Sequence, residues 1–231
     1  MLSKLKTTVL GDIGCYTLGA LPPTSAIDAC LCMGGSITMA HGFEKAVGNS
    51  RNTVAVLGDS TFFHSGMTGA AEIVYNKGRM IPCVLDNRIT GMTGHQDNPG
   101  TGYTLQGDPT ALLSVEKIIT ALGFAPVLTV DPQDLKAMKA AVDQAVAALD
   151  AGQQPAIVTR RPCLLIKRDK FRKGMCRVNA DKCRSCRSCL KVGCPAISLE
   201  NGKAVIDRTQ CVGCTVCAQV CPFDAIEKEE K

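Results

Sequence analysis

The sequence predicts an open parallel α/β sheet followed by a small, cysteine-rich α+β domain. Three observations carry that reading. Short β-rich runs alternate with helical patterns between Thr7 and Thr159. Nine of the 14 cysteines are crowded between Cys176 and Cys221. Between the two regions runs Lys167-Arg168-Asp169-Lys170-Phe171-Arg172-Lys173-Gly174, a basic, weakly patterned segment that reads as a solvated linker. The expected organisation is therefore 1–166, a linker at 167–174, and 175–231.

In chain order, residues 7–10 form the first candidate strand, ended by Gly11-Asp12. A Gly-Gly-Ser start leads into a helical pattern over 37–47. Residues 53–57 read Thr-Val-Ala-Val-Leu, a β-rich run stopped by Gly58. Next come a helical pattern over 67–75 and a strand over 80–85. A helix over 114–122 and a strand over 127–130 follow. The clearest helix spans 134–149, where Leu135, Met138, Ala141, Val142, Ala145, Val146 and Leu149 recur at helical spacing. Its Asp131-Pro132-Gln133-Asp134 lead-in suits a helix N-terminus. A last strand over 156–159 closes the series. Ligands of such sheets bind beyond the carboxyl ends of the strands. Gly58-Asp59-Ser60 and Asp86-Asn87 both stand at predicted strand ends, so chemistry is expected there.

Composition narrows the function classes. A net charge of +5, 4% aromatic residues and no Trp argue against nucleic acid as a partner. No stretch approaches the roughly 18 consecutive apolar residues of a membrane helix. The first ten residues carry Lys4 and Lys6 but lack the apolar core of a signal peptide. A cytoplasmic chain is expected, and there cysteines serve metals rather than disulfides.

Two cysteine runs make that specific: Cys183-x2-Cys186-x2-Cys189-x4-Cys194-Pro195 and Cys211-x2-Cys214-x2-Cys217-x3-Cys221-Pro222. The x2 spacing lets one tight loop aim three thiolates at three corners of a cubane. The cysteine before proline reaches the other cluster. One 4Fe-4S cluster is therefore assigned to Cys183, Cys186, Cys189 and Cys221, the other to Cys211, Cys214, Cys217 and Cys194. Zinc is the competing reading, but it leaves the third cysteine of each run and the Cys-Pro pairs without a purpose. The x4 spacing before Cys194 departs from the x3 of bacterial ferredoxins. Ala-Ile follows each motif, at Ala196-Ile197 and Ala225-Ile226, an internal repeat. Cys176, seven residues ahead of Cys183, reads as a plain apolar residue. Each oxidised cluster with its thiolates carries roughly −2, so two of them take the formal +5 to about +1. Lys182, Arg184, Arg187 and Lys191 then read as local compensation.

In the first domain, one strand–helix–strand unit separates Asp59 from Asn87. That spacing sets a carboxylate and an amide oxygen on adjacent strand ends. Both are hard oxygen ligands of the kind Mg²⁺ prefers, with a diphosphate supplying further charge. A plain turn and cap would use the same tripeptide, but the neighbouring segments favour the cofactor site. They are Gly11-Asp12-Ile13-Gly14-Cys15-Tyr16, Cys32-Met33-Gly34-Gly35-Ser36, and Leu85-Asp86-Asn87-Arg88-Ile89-Thr90-Gly91-Met92-Thr93-Gly94-His95-Gln96. Gly58-Asp59-Ser60…Asp86-Asn87 resembles the Gly-Asp-Gly…Asn-Asn signature of thiamine diphosphate enzymes. With the double cysteine motif, nearly the whole chain resembles the large subunits of the indolepyruvate-type 2-oxoacid:ferredoxin oxidoreductases.

The resemblance implies an open parallel sheet of thiamine diphosphate-binding type, then a bacterial-ferredoxin-like domain. It implies Asp59, Asn87 and the Ile89 carbonyl as Mg²⁺ ligands. Gly14, Cys15, Cys32, Met33, Gly34, Gly35, Ser36, Gly58, Ser60 and Thr90 to Thr93 would contact the cofactor. Free N–H groups at Gly34 to Ser36, ahead of a helix, suit a diphosphate. His95 and Gln96 would lie over the substrate, and His64, just after the metal motif, is a further catalytic candidate. His41 reads as an ordinary packed histidine. Cys15, Cys30, Cys32, Cys83 and Cys163 read as small buried residues, Cys15 and Cys32 being the two inside motifs. The implied reaction is oxidative decarboxylation of an aryl 2-oxoacid such as indolepyruvate. Coenzyme A takes the acyl group, and electrons pass singly through two clusters to an external ferredoxin. A pyrimidine-binding domain or chain and a small β subunit would complete the enzyme, since the activating glutamate is expected elsewhere. On that reading the chain is a split or truncated subunit that turns over no 2-oxoacid alone. Two alternatives stay open: another 2-oxoacid as substrate, and a pure electron-transfer protein with a non-catalytic α/β docking domain.

Overall fold

The computed structural model describes residues 7–48, 52–166 and 174–229. Six strands form one parallel sheet in the order β2-β1-β3-β4-β6-β5. They are β1 (Thr7–Gly11), β2 (Ala29–Cys30), β3 (Asn52–Gly58), β4 (Ile81–Asp86), β5 (Val127–Val130) and β6 (Ala156–Arg160). The central strands are buried on both faces, which is why they read as continuous apolar runs rather than alternating ones.

Side chains still alternate between two cores. Ala55 and Leu57 of β3 face one core, with α1 (Gly35–Val47), α3 (Met67–Tyr75) and α4 (Val115–Ala121) supplying Ile37, Ala40, Ala70, Ile73, Val115 and Ile119. Val54 of β3 faces the other, where α5 (Leu135–Asp150) presents Ala141, Val142, Ala145 and Leu149. Ile81, Cys83 and Ile157 join this second core. Side-chain caps start two of the helices: Ser114 Oγ accepts from Lys117 N–H and Asp134 Oδ1 from Ala137 N–H, at 3.2 and 2.9 Å.

Two elements differ from the sequence expectation. β2 is only two residues long, too short to leave a pattern. A continuous helical run begins at Asp59, not Met67: α2 (Asp59–Thr61) passes through a π-helical turn (Phe62–Gly66) into α3. Ser60, Ser65 and Gly66 interrupt the helical pattern here, but Phe62 is fully buried and Phe63 nearly so, and that burial outweighs local propensity. A π turn inside a helix often accompanies a functional site.

The cysteine-rich part is a pair of two-stranded antiparallel sheets. β7 (Met175–Val178) pairs with β10 (Ile226–Glu229), and β8 (Ile197–Glu200) with β9 (Lys203–Ile206). The internal repeat is visible in the backbone. Ile197 and Ile226 each begin a strand just past a Cys-Pro. Ser185 and Gly213, equivalent in the two runs, have φ of 57° and 70°; Arg187 and Thr215 have 61° and 63°. The basic segment read as a linker lies, apart from Gly174, outside the described residues. No described helix is long and apolar enough to cross a membrane.

Candidate functional site

From β1 the sheet extends to β2 on one side and to β3 on the other. Such a switch point opens a crevice beyond the strand ends. A cleft of about 290 Å³ lies there. It is lined by Ile13, Gly14, Cys15 and Tyr16 after β1, by Gly58 to Thr61 after β3, and by Leu85, Asn87 and Ile89 to Thr93 around the end of β4, with Met33 completing the wall.

Asp59, 2% exposed, forms the floor as the first residue of α2. Burial pushes its carboxyl up to about 6, and the charge of Asp86 adds to this; the Ser60 N–H, Asn98 and the Arg88 N–H pull the other way. Among the described residues its side-chain partner is weak, Asn98 Nδ2 donating to Oδ2 at 3.4 Å. Asn87 Oδ1 accepts from the Ile89 N–H at 3.1 Å, which turns the chain sharply past β4. Thr90 Oγ1 donates to Ser60 Oγ at 2.9 Å and ties the two loops together. A buried carboxylate lining the same cleft as the Asn87 amide and the Ile89 backbone suits a hard divalent cation, whose charge would offset the cost of burying Asp59.

Asp12 and Tyr16 form a support that sequence reasoning did not single out. Asp12 is fully buried. Its Oδ1 accepts from the Tyr16 hydroxyl, and its Oδ2 accepts from Gly34 N–H at 2.8 Å and Ser36 Oγ at 3.3 Å. Burial raises the Asp12 carboxyl above its ordinary range despite these donors. Tyr16 Oη in turn accepts from Gly58 N–H at 3.1 Å. One phenol thus joins the ends of β1 and β3. A side chain on Gly14 would overlap the Tyr16 ring, which is the reason for glycine there.

Other expected residues fall differently. Gly34 and Gly35 do not offer free N–H groups: the first donates to Asp12 and the second to the Cys32 carbonyl at 2.9 Å. The turn into α1 consumes them before a ligand could. Ser36 is buried and its hydroxyl is likewise turned to Asp12. Cys32 is exposed and does not line the cleft. His64, His95 and Gln96 are exposed and do not line it either. His64 Nδ1 lies 3.1 Å from Ser65 Oγ. The Gln96 side chain closes its own loop, donating to the Thr93 carbonyl and accepting from Thr93 Oγ1, both at 2.7 Å. Asp86 is buried, bound by Arg160 Nε at 2.8 Å and Arg88 Nε at 3.3 Å. His41 is packed, its Nδ1 2.7 Å from Glu72 Oε2.

In the cysteine-rich part, Cys183, Cys186, Cys189 and Cys221 line one cavity. Cys217 has Cys176, Cys214 and Cys194 around it, and Cys176 N–H donates to Cys211 Sγ at 3.3 Å. The fourth cysteine of each run therefore faces the other run. N–H donors from Ala204 and Ser185 hold the Cys183 thiol below its usual range; the Ser188 hydroxyl and N–H do so for Cys186. Burial pushes Cys217 up to about 12. Among the described residues no three Cys, His, Asp or Glu side chains close on a point able to hold a metal ion. The thiols of the first set ring a space instead. Buried thiols with N–H donors fit a cluster that needs thiolates.

Residues 12–159 match the family model of the thiamine pyrophosphate enzyme C-terminal TPP binding domain. The chain belongs to that family. Residues 204–227 match the 4Fe-4S binding domain. The indolepyruvate oxidoreductase subunit IorA of Pyrococcus abyssi is 42% identical over 237 residues, covering 94% of this chain and 36% of the relative. That of Methanothermobacter marburgensis is 40% identical over 221 residues, covering 95% and 35%. The chain thus spans about a third of the length of the curated relatives it matches. A 2-oxoglutarate:ferredoxin oxidoreductase from Magnetococcus marinus shares the fold, with TM-score 0.56 and 17% identity over 69% of this chain and 55% of that one. The chain therefore joins a TPP-binding domain to a 4Fe-4S binding domain.

Proposed function

We propose that the chain is the cofactor- and cluster-bearing part of a 2-oxoacid:ferredoxin oxidoreductase that oxidatively decarboxylates an aryl 2-oxoacid such as indolepyruvate. The observation that carries this is a pairing within one chain. A switch-point cleft floored by buried Asp59 and two sets of clustered thiols share one chain, which is 42% identical to an indolepyruvate oxidoreductase subunit. Thiamine diphosphate, when bound, supplies the electron sink for decarboxylation.

The chain's own residues have four tasks. Asp59, Asn87 Oδ1 and the Ile89 carbonyl hold Mg²⁺ against the diphosphate. Gly14, Cys15, Gly58 and Ser60 line the bed for the cofactor. Ile13, Met33 and the loop Thr90 to Thr93 exclude water from the cleft. Cys183, Cys186, Cys189 and Cys221 hold one 4Fe-4S cluster, and Cys211, Cys214, Cys217 and Cys194 the other, so that electrons leave one at a time. Coenzyme A as acyl acceptor, a pyrimidine-binding domain, a small β subunit and an external ferredoxin complete the proposal, in a cytoplasmic setting.

The test is thermal denaturation of the anaerobically reconstituted chain. Thiamine diphosphate and Mg²⁺ together are expected to raise Tm, and neither alone. Dye reduction by indolepyruvate is expected only once a pyrimidine-binding domain and a small β subunit are present. No stabilisation under any combination favours the electron-transfer reading with a non-catalytic sheet domain.

A further inference from the structure

Cys176 belongs to neither Cys-x2-Cys run, yet it is 2% exposed and packs among cluster thiols. It lies on β7, opposite Lys228 of β10. The Cys176 N–H donates to Cys211 Sγ at 3.3 Å. Its side chain packs in one buried cluster with Cys217, with Cys211 against that cluster and Cys214 close by. Among the described residues, four thiols line the first cavity, while five gather at the second site.

A cluster ligand is a thiolate and can only accept hydrogen bonds. With Cys211 as a ligand, the Cys176 N–H donates to a sulfur of that cluster; with Cys217 a thiolate in the same buried cluster, the Cys176 S–H is the donor placed to face it. Reduction adds an electron to that cluster, so its sulfurs accept more strongly in the reduced state. Hydrogen bonds to cluster sulfurs are one of the levers that set potential. We infer that Cys176 is a positioning residue that raises the reduction potential of the cluster held by Cys194, Cys211, Cys214 and Cys217, and leaves the other cluster unchanged. The inference rests on the two-cluster reading above.

The test uses the full chain, reconstituted anaerobically, with iron content and an EPR-monitored redox titration as readouts. A Cys221→Ser background, lacking the other cluster, assigns the signals. Cys176→Ala keeps the N–H and removes the thiol donor; Cys176→Ser restores a donor. Both variants should keep about eight irons, four per cluster. At fixed solution potential, Cys176→Ala should lower the reduced-to-oxidised ratio of one cluster three- to tenfold. For a one-electron couple that is a fall of about 30–60 mV. Cys176→Ser should return it to within about twofold of the parent. The inference is overturned by equal shifts of both clusters, by no shift of either, or by loss of four irons in Cys176→Ala, which would make Cys176 a ligand. A parent chain that holds only one cluster overturns the two-cluster reading and this inference with it.

Discussion

The Tyr16 hydroxyl donates to the buried carboxylate of Asp12 and accepts from the Gly58 N–H at 3.1 Å. The two glycine-containing motifs of the cleft, 42 residues apart along the chain, are held in register through that one oxygen. Tyr16→Phe keeps the ring and removes the link. Gly58 N–H and Asp12 Oδ1 each lose a partner, at a cost of about 1–3 kcal/mol. The cost should depend on pH. Asp12 has a folded-state pKa raised by burial, so the folded state binds its proton more tightly than the unfolded one. Protonation as pH falls relieves the buried charge. The Tm deficit of Tyr16→Phe should therefore be larger at neutral pH than in mild acid. A deficit that does not change with pH would show that the lost contact was only packing.

Asp59→Asn separates metal binding from folding. The substitution keeps the shape and removes a buried charge that burial disfavours, so apo stability should hold or rise. The Tm gain from thiamine diphosphate with Mg²⁺ should vanish, because the carboxylate proposed to hold the metal is gone. A variant that keeps the full gain would take Asp59 out of the metal site.

Interleaving of the cysteine runs is testable by pairing substitutions. Cys221→Ser should remove the cluster whose other ligands are Cys183, Cys186 and Cys189, not the one belonging to its own run. Cys183→Ser with Cys221→Ser should then lose no more iron than either alone. Cys211→Ser with Cys221→Ser should lose both clusters, although those two cysteines share one run. Iron content and EPR of the reduced chain read the outcome. The reverse pattern would mean that each run holds its own cluster.

Much of this architecture was legible from the sequence, for physical reasons. Strands buried on both faces leave apolar runs, and α5 leaves a one-sided apolar stripe. The candidate cluster cysteines stand out because the x2 spacing itself puts three thiols on one loop. Tyr16 and Asp12 were hidden because their partners Gly58, Gly34 and Ser36 are distant in sequence. A faint signal existed in Gly14, which only the Tyr16 ring explains. Cys176 was hidden because β7 reaches the second run through strand pairing with β10, which spacing does not encode. The exposed positions of His64, His95 and Gln96 depend on local turns: His95 has φ of 65° and Gln96 is bound to Thr93. The identity of a residue does not announce such turns.

Asp86 shows the same limit and yields the last prediction. By position it matches an amide in the thiamine signature, but the structure gives it an ion-pair role. It is 4% exposed, between Arg160 and Arg88, and Arg160 also meets Glu116. Arg160→Gln should leave the Asp86 carboxylate buried with one cation instead of two, at about 2–3 kcal/mol for a charged hydrogen bond. Asp86→Asn removes the charge that needed neutralising. The double variant Asp86→Asn/Arg160→Gln should therefore be less destabilised than the sum of the singles. Burial works to raise Glu116, but Ser114 and Arg160 hold it below the usual carboxylate range, so it contributes stability that is lost as pH falls through that lowered value. Arg160→Gln should weaken this acid sensitivity, whereas Asp86→Asn alone should leave it in place. Denaturant titrations of the four chains at neutral and acid pH measure both effects. Strict additivity would mean that Asp86 and Arg160 act independently despite the 2.8 Å between them.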